Sequence, residues 1–301
     1  MTYSIVARDP ATGRLGVAIQ TCWPFVGGGC PWVESGVGAV ATQSYAEVAH
    51  GPNGLALLRD GVSAPDVLPR LLDVDPGREI RQVGVVDGTG RSASFTGARC
   101  VEAAGHLTAN DVAIQANMME RPTVWPAMLE AWRAPAVSFV DRLLAALRAA
   151  EREGGDLRGR QSAVLLVSGT PDEPGWKRSW DVRVDDHPAP LDELERLVRL
   201  QLGFEALDRA EELATAGDLD GARRAGEEAL RLTAGDRQVV VWSAIGMAAA
   251  GNDVDARELF TTALADNGRW LEFLRRFVAS GAQPELVDAT TRLLDGFAGE
   301  R

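Results

Sequence analysis

Residues 2–21, TYSIVARDPATGRLGVAIQT, read as a β-hairpin that begins with the chain. Ile5 and Ala7, then Leu15, Val17 and Ile19, recur at the period of two expected of a half-buried strand, and Asp9-Pro10-Ala11-Thr12-Gly13 supplies the turn between them. Thr2 is therefore expected at a strand end and not on a frayed tail. If Met1 is removed, Thr2 carries a hydroxyl and a free α-amine on one residue, a nucleophile with its own base. The amine's reference pKa of ~7.7–8 leaves a useful fraction unprotonated at neutral pH. Threonine is also common in strands for packing reasons, so the residue type alone does not decide between chemistry and structure.

Beyond the hairpin, Trp23-Pro24 and Gly27-Gly28-Gly29 predict a loop, with Pro31, Trp32 and Glu34 on its return and a strand resuming through Val37, Ala39 and Ala41. The three glycines lack the GK[ST] and following helix of a phosphate loop. His50-Gly51-Pro52-Asn53 reads as a turn, followed by short helices over 54–59 and 65–72 with Leu55, Leu58, Val67, Leu68 and Leu71 inward. A hairpin is expected over 82–96 and a strand over 111–118. Amphipathic helices follow over 122–132 and 137–152, then strands over 163–167 and 179–184. Strands, two helices, strands, two helices and strands in that order predict a layered α+β sandwich, mainly antiparallel.

From Pro190 onward the pattern is helical to the end, which predicts a first domain over 1–188 and an all-α domain over 189–301. Gly217-Asp218, Ala222 and Ala229 recur as Gly251-Asn252, Ala256 and Ala263, each 34 residues on. That is the tetratricopeptide (TPR) period, with small residues where paired helices touch. Two copies are fewer than a free-standing array needs. The helices over 190–290 are accordingly expected to dock on the first domain, a second copy of the chain or a protein partner.

With 301 residues, 46% of them apolar, the chain can build a large core. A net charge of −12 excludes the clustered basic face of a nucleic-acid binder, and no apolar run reaches the ~18–20 residues that span a bilayer. Without a leader-like start, the expected location is cytoplasmic. Cys22, Cys30 and Cys100, with His50, His106 and His187, lack metal-ligand spacing, so neither a metal nor a cofactor is expected. Lys177 is the only lysine.

The stretches TYSIVARDPATGRLGVAIQ, PWVESGVGAVATQS, GPNGLALL, DPGREIRQVGVVD, TGARCVEAAGH, QANMM, VWPAM and GGDLRGRQSAVLLV resemble the bacterial family known as domain of unknown function 1028, over essentially all of residues 2–187. The helical tail resembles a repeat segment that many members carry. The resemblance implies a four-layer αββα sandwich similar to the N-terminal-nucleophile (Ntn) hydrolases. It further implies an amidohydrolase acting on a small amide, imide or short peptide, with Thr2 as nucleophile after Met1 removal.

In such a site the α-amine takes the hydroxyl proton, and the oxyanion needs donors worth ~2.7–4 kcal/mol each. Asn117 is the first choice for an oxyanion or substrate donor and Gln43 the second. Arg158 and Arg160 are suited to fork onto a substrate carboxylate, and Glu34 and His106 are reserve acid–base or substrate-binding groups. Each has a structural alternative: the amides satisfy backbone groups, the arginines pair with Asp156 or Asp9, and His106 caps a loop. The competing function is a non-catalytic Ntn-like scaffold whose TPR-like helices recruit a partner or a second copy. Proteasome-type sites use a lysine beside the nucleophile, and the expected exposure of Lys177 in PGWKRSW disfavours that variant.

Overall fold

A computed structural model describes residues 2–297. Its elements run β1 (Thr2–Arg8), β2 (Leu15–Thr21), β3 (Pro31–Glu34), β4 (Gly38–Ser44), α1 (His50–Arg59), α2 (Ala64–Leu72), β5 (Arg81–Asp87) and β6 (Ser92–Thr96). They continue through β7 (Gly105–Ala109), β8 (Val112–Asn117), α3 (Val124–Arg133), α4 (Phe139–Arg152), β9 (Ser162–Ser168) and β10 (Arg178–Val184). Six helices follow: α5 (Pro190–Thr215), α6 (Leu219–Leu232), α7 (Arg237–Ala249), α8 (Asp253–Asp266), α9 (Arg269–Ser280) and α10 (Pro284–Asp295).

The strands form two antiparallel sheets, one in the order β10-β9-β2-β1-β8-β7 and one in the order β3-β4-β5-β6. Their inner faces meet through Val6, Val17, Ile19, Val164 and Leu166 on one side and Val33, Ala39, Ala41 and Val86 on the other. Each valine, isoleucine or leucine among them stabilises the fold by ~1.5–3 kcal/mol through its removal from water. Helices α1 and α2 cover the outer face of the smaller sheet, with Leu55, Leu58, Val67 and Leu71 on Val40, Val83 and Val85. Helices α3 and α4 cover the outer face of the larger one. Gly16 sets how closely α4 approaches, since a Cβ there would stand 2.8 Å from Leu143 and 2.9 Å from Phe139.

Four local expectations change. Strands β1 and β2 are buried on both faces, not one. Ile5 pairs with Ala18 and Ala7 with Gly16 on the helix-covered face, whereas Leu15, Val17 and Ile19 line the space between the sheets with Val6. Residues 31–34 are a true strand, pairing Pro31 with Ala41 through Glu34 with Gly38. Helix α1 starts at His50, because Pro52 in a first turn needs no N–H partner and its φ is already helical. Strand β7 pairs with β8 where the sequence carries no clear period.

The chain divides into two compact units, Met1–Glu195 and Arg196–Arg301. The division falls inside α5, whose first turns are held by Arg148, which reaches Asp192 and Glu195 at 2.6 Å each. In the second unit the 34-residue repeat has a conformational counterpart. Gly217 and Gly251 take φ of 84° and 83°. Asp218 then caps α6 by accepting from Gly221 N–H, and Asn252 caps α8 by accepting from Asp255 N–H. Ile245, Phe260, Leu274 and Leu293 centre that unit's core, with Ala256 and Ala263 at close approaches. Among the described residues no helix is long and apolar enough to cross a membrane.

Candidate functional site

Thr2 opens the central strand of the larger sheet, paired with Thr21 on β2 and Asn117 on β8, and is 6% exposed. Its Oγ1 lies 3.2 Å from Thr21 Oγ1. Residues of even number on β1 face the other sheet, so Thr2 stands over Gln43 of β4 and Gln82 of β5. Gln43 Nε2 and Asn117 Nδ2 each donate to the Thr2 carbonyl oxygen at 3.3 Å. The same two nitrogens donate to Gln82 Oε1, at 2.6 and 2.8 Å. The four hydrogen bonds close a ring that ties three strands to the backbone of Thr2.

Gln82 is oriented in turn, its Nε2 donating to Ala116 O at 2.9 Å and Thr96 Oγ1 at 2.8 Å. The ring uses both amide protons of Asn117 and of Gln43, so these residues position Thr2 and hold no donor in reserve. It leaves Asn117 Oδ1 and Gln43 Oε1 buried with no hydrogen-bond partner among the described residues. Two unanswered acceptors beside one residue are unusual in a folded interior. One step deeper, Ser4 Oγ donates to Gln115 Oε1 at 2.7 Å. Gln115 fits only because residue 84 is glycine: a Cβ there would fall 1.8 Å from its Nε2.

The other residues expected at the site divide into three groups. Arg158 and Arg160 lie on the Thr2 side and line a pocket of about 370 Å³ with Cys22, Gln161, Asp186, His187 and Pro188. Cys22 directly follows Thr21. Asp156, offered by the sequence as a partner for the arginines, lies 3.5 Å from Arg158; its side chain is fully buried and also accepts from Cys22 N–H at 3.2 Å and Arg158 N–H at 2.9 Å. Burial, and then the Asp156 carboxylate, push the Cys22 thiol up, which keeps it protonated at neutral pH. Arg160 is paired with Glu151.

His106 is exposed on β7, its Nδ1 2.8 Å from Thr96 Oγ1, and lines a second pocket of about 510 Å³ with Trp125 and Glu102. It reaches Thr2 only through Thr96 and Gln82. Glu34 is not brought to the site. It pairs with Gly38, at the opposite end of β4 from Gln43, and binds Arg59 through both guanidinium arms. Five strand steps separate Gly38 from Gln43, ~16 Å. Lys177 also lies at that far end, in the turn between β9 and β10. No group of three or more His, Cys, Asp or Glu side chains among the described residues is arranged to hold a metal ion. Gln82, the hub of the ring, was legible only as a strand residue; its signal is a glutamine in an apolar strand on the face shared with Gly84 and Val86.

A model of the family of unknown function DUF1028 matches residues 2–194, and the chain belongs to that family. The crystal structure of a DUF1028 protein from Silicibacter pomeroyi, SPO2555, is similar to this chain at a TM-score of 0.58 and 36% identity, over 66% of this chain and 88% of that one. Anbu, an ancestral beta-subunit from Yersinia bercovieri, aligns over 64% of this chain and 90% of its own at 10% identity, with a TM-score of 0.33. No curated protein matches the chain.

Proposed function

We propose that the protein is an Ntn-type amidohydrolase of the cytoplasm, acting on a small amide, imide or short peptide with Thr2 as nucleophile after removal of Met1. The observation that carries this reading is the ring of amides that grips the Thr2 carbonyl at the head of the central strand. Such a grip fixes a reacting residue in place, and packing alone does not call for it. The layering of helices, sheet, sheet and helices is the architecture expected of an Ntn-like αββα sandwich.

In this mechanism Thr2 Oγ attacks the amide carbon while the α-amine accepts its proton, directly or through water. The tetrahedral intermediate collapses as the ammonium returns that proton to the departing nitrogen, leaving an ester on Thr2 Oγ. Water, deprotonated by the same amine, then releases the acid. Asn117 Oδ1 and Gln43 Oε1 are acceptors suited to hold an ammonium donor at the chain start. With Lys177 at the far end, no lysine assists the nucleophile. The TPR-like helices over 190–290 are proposed to bind a protein partner or a second copy, which a light-scattering mass of the full chain above 32.1 kDa would support.

The test is intact mass and N-terminal sequencing of untagged protein, then hydrolysis of a panel of amides by wild type, Thr2→Ser and Thr2→Ala. Loss of Met1, turnover by wild type and Thr2→Ser, and a drop of at least ~10³-fold in Thr2→Ala are expected. Retained Met1, or turnover indifferent to Thr2→Ala, overturns the nucleophile. Retained Met1 with no turnover of any amide passes the reading to a non-catalytic binding protein.

A further inference from the structure

The pocket that holds His106 is walled by the 97–104 loop, by the ends of the edge strands β6 and β7, and by Trp125 in the first turn of α3. The loop is held from both sides. Gly97 N–H and Cys100 Sγ both donate to Arg81 O, at 2.9 and 3.3 Å, and Arg99 N–H donates to Glu79 O at 2.8 Å. Towards its other end, Val101 O and Ala103 O accept from Met118 N–H and Met119 N–H at 3.2 and 3.0 Å. The walls are thus fixed by the fold itself, as those of small-molecule sites usually are. Glycine at position 105 lets the Trp125 indole lie against the backbone, since a Cβ there would stand 2.5 Å from its Cε2 and Cζ2.

The polar groups of the wall define what it can bind. Gln82 Nε2 donates to Thr96 Oγ1 at 2.8 Å, and Thr96 Oγ1 lies 2.8 Å from His106 Nδ1. Partial burial pushes the His106 imidazole below its usual value, so the ring is neutral at pH 7. Nδ1 is then the acceptor of the Thr96 hydroxyl proton, which places the ring's own proton on Nε2. Neither that N–H nor the Glu102 carboxylate has a partner among the described residues. Burial pushes the Cys100 thiol up, so it stays protonated. Glu102 therefore supplies the charge of the lining, and no arginine or lysine belongs to it; Arg99, between two wall residues, is not part of the wall. A carboxylate without a cation beside it, an N–H donor and an indole together match a cation that also carries an oxygen acceptor and an apolar body.

We propose that this pocket binds a small organic amine, cationic at neutral pH, with a hydroxyl or carbonyl oxygen close to its nitrogen and an apolar or aromatic body: an amino alcohol or an amino-acid amide. The ammonium lies on Glu102, the oxygen accepts from His106 Nε2–H, and the body lies against Trp125, Ala98 and Ala104. The site is independent of the amidohydrolase reading, because Thr2 does not line it and Gln82 and Asn117 stand between the two.

The test is calorimetry on the full chain with three compounds: phenylalaninol, which has all three features, phenethylamine, which lacks the hydroxyl, and hydrocinnamyl alcohol, which lacks the amine. Phenylalaninol is expected to bind roughly tenfold or more tighter than hydrocinnamyl alcohol, and severalfold tighter than phenethylamine. Glu102→Gln is expected to erase the first difference while leaving the alcohol's affinity unchanged, and His106→Phe to erase the second. Both side chains are exposed, so these substitutions test contact and not folding. Trp125→Ala is expected to weaken all three compounds, and Thr2→Ala none of them.

Equal affinity for phenylalaninol and hydrocinnamyl alcohol, an amine preference that survives Glu102→Gln, or no measurable binding of phenylalaninol overturns the site. Loss of binding in Thr2→Ala overturns it as well, by moving the ligand to Thr2, and leaves the hydrolase reading standing.

Discussion

The two ends of the sandwich are built from the same strands and treat polar groups in opposite ways. At the end away from Thr2, carboxylates are met by arginines and backbone N–H groups. Asp87 accepts from Ala64 N–H, Thr89 N–H and Arg91 Nε at 2.8–3.1 Å. Burial works against its ionised form, yet these bonds hold it below the usual carboxylate range. Arg8 meets Asp111 at 3.1 Å, and Glu34 is forked by Arg59. At the Thr2 end the order inverts: amides are buried with acceptors to spare, while Trp23, Phe25, Tyr45 and Leu157 stand in water. One end is laced chiefly by carboxylates and arginines; the other also buries amides and exposes aromatics, and on the proposed reading it is the end that meets substrate.

This contrast can be broken at several points. Gln82→Leu removes the acceptor of two buried amides, and stability is expected to fall by about 3 kcal/mol in urea unfolding, with loss of any Thr2-dependent turnover. If the variant is as stable as wild type, the ring holds nothing. Gly84→Ala, on the same strand, forces Gln115 off Ser4 and Ser94; a loss of about 1–3 kcal/mol is expected, with Thr2 chemistry reduced less than by Gln82→Leu.

A third test uses acid. His50 and Asp75 lie 3.3 Å apart, 4% and 6% exposed, with Arg81 on the carboxylate at 2.8 Å. Burial pushes the His50 imidazole down despite the attraction of Asp75. The unfolded chain therefore takes up a proton at His50 before the folded one does. Stability contributed by neutral His50 is present above the ordinary imidazole pKa of ~6.5 and is lost as pH falls below it. Asp75, held down chiefly by the Arg81 hydrogen bond, loses its contribution only at more acidic pH, below the ordinary carboxylate range. Melting temperature is expected to drop between pH 7 and pH 5, and less steeply in His50→Gln.

The smallest effect belongs to the closed end. Glu34→Gln is expected to cost under ~1 kcal/mol and to leave turnover unchanged, since Arg59 is 55% exposed. A large effect on activity would erase the distinction between the ends.

Local periodicity made the first hairpin, the four covering helices and the 34-residue repeat legible, because each signal lies within one or two elements. Strands β3 and β7 were not legible: four residues holding a Pro and a Trp, and five residues at the sheet's edge, carry too little pattern. Thr2, Asn117 and Gln43 could be singled out as polar residues at strand ends. Their convergence on Gln82 could not, since the bonds span 39 and 35 residues and exist only once two sheets face each other. Glu34 and Arg158 look alike as loop-side charges in sequence; only register separates an end from its opposite.

The pairing of β1 with a neighbour on each side also sets a clock. On one side β2 is complete by residue 21; on the other, Asn117 must be made before it can reach the Thr2 carbonyl, 115 residues away. At ~5–20 residues per second of synthesis, that wait is roughly 5–20 s, during which the first strand is an open edge. On the proposed reading this interval is when the initiator methionine must be cut away. Slow trimming would meet a Thr2 already paired on both sides, and the proportion of competent molecules would then be decided at the ribosome, before any substrate is met.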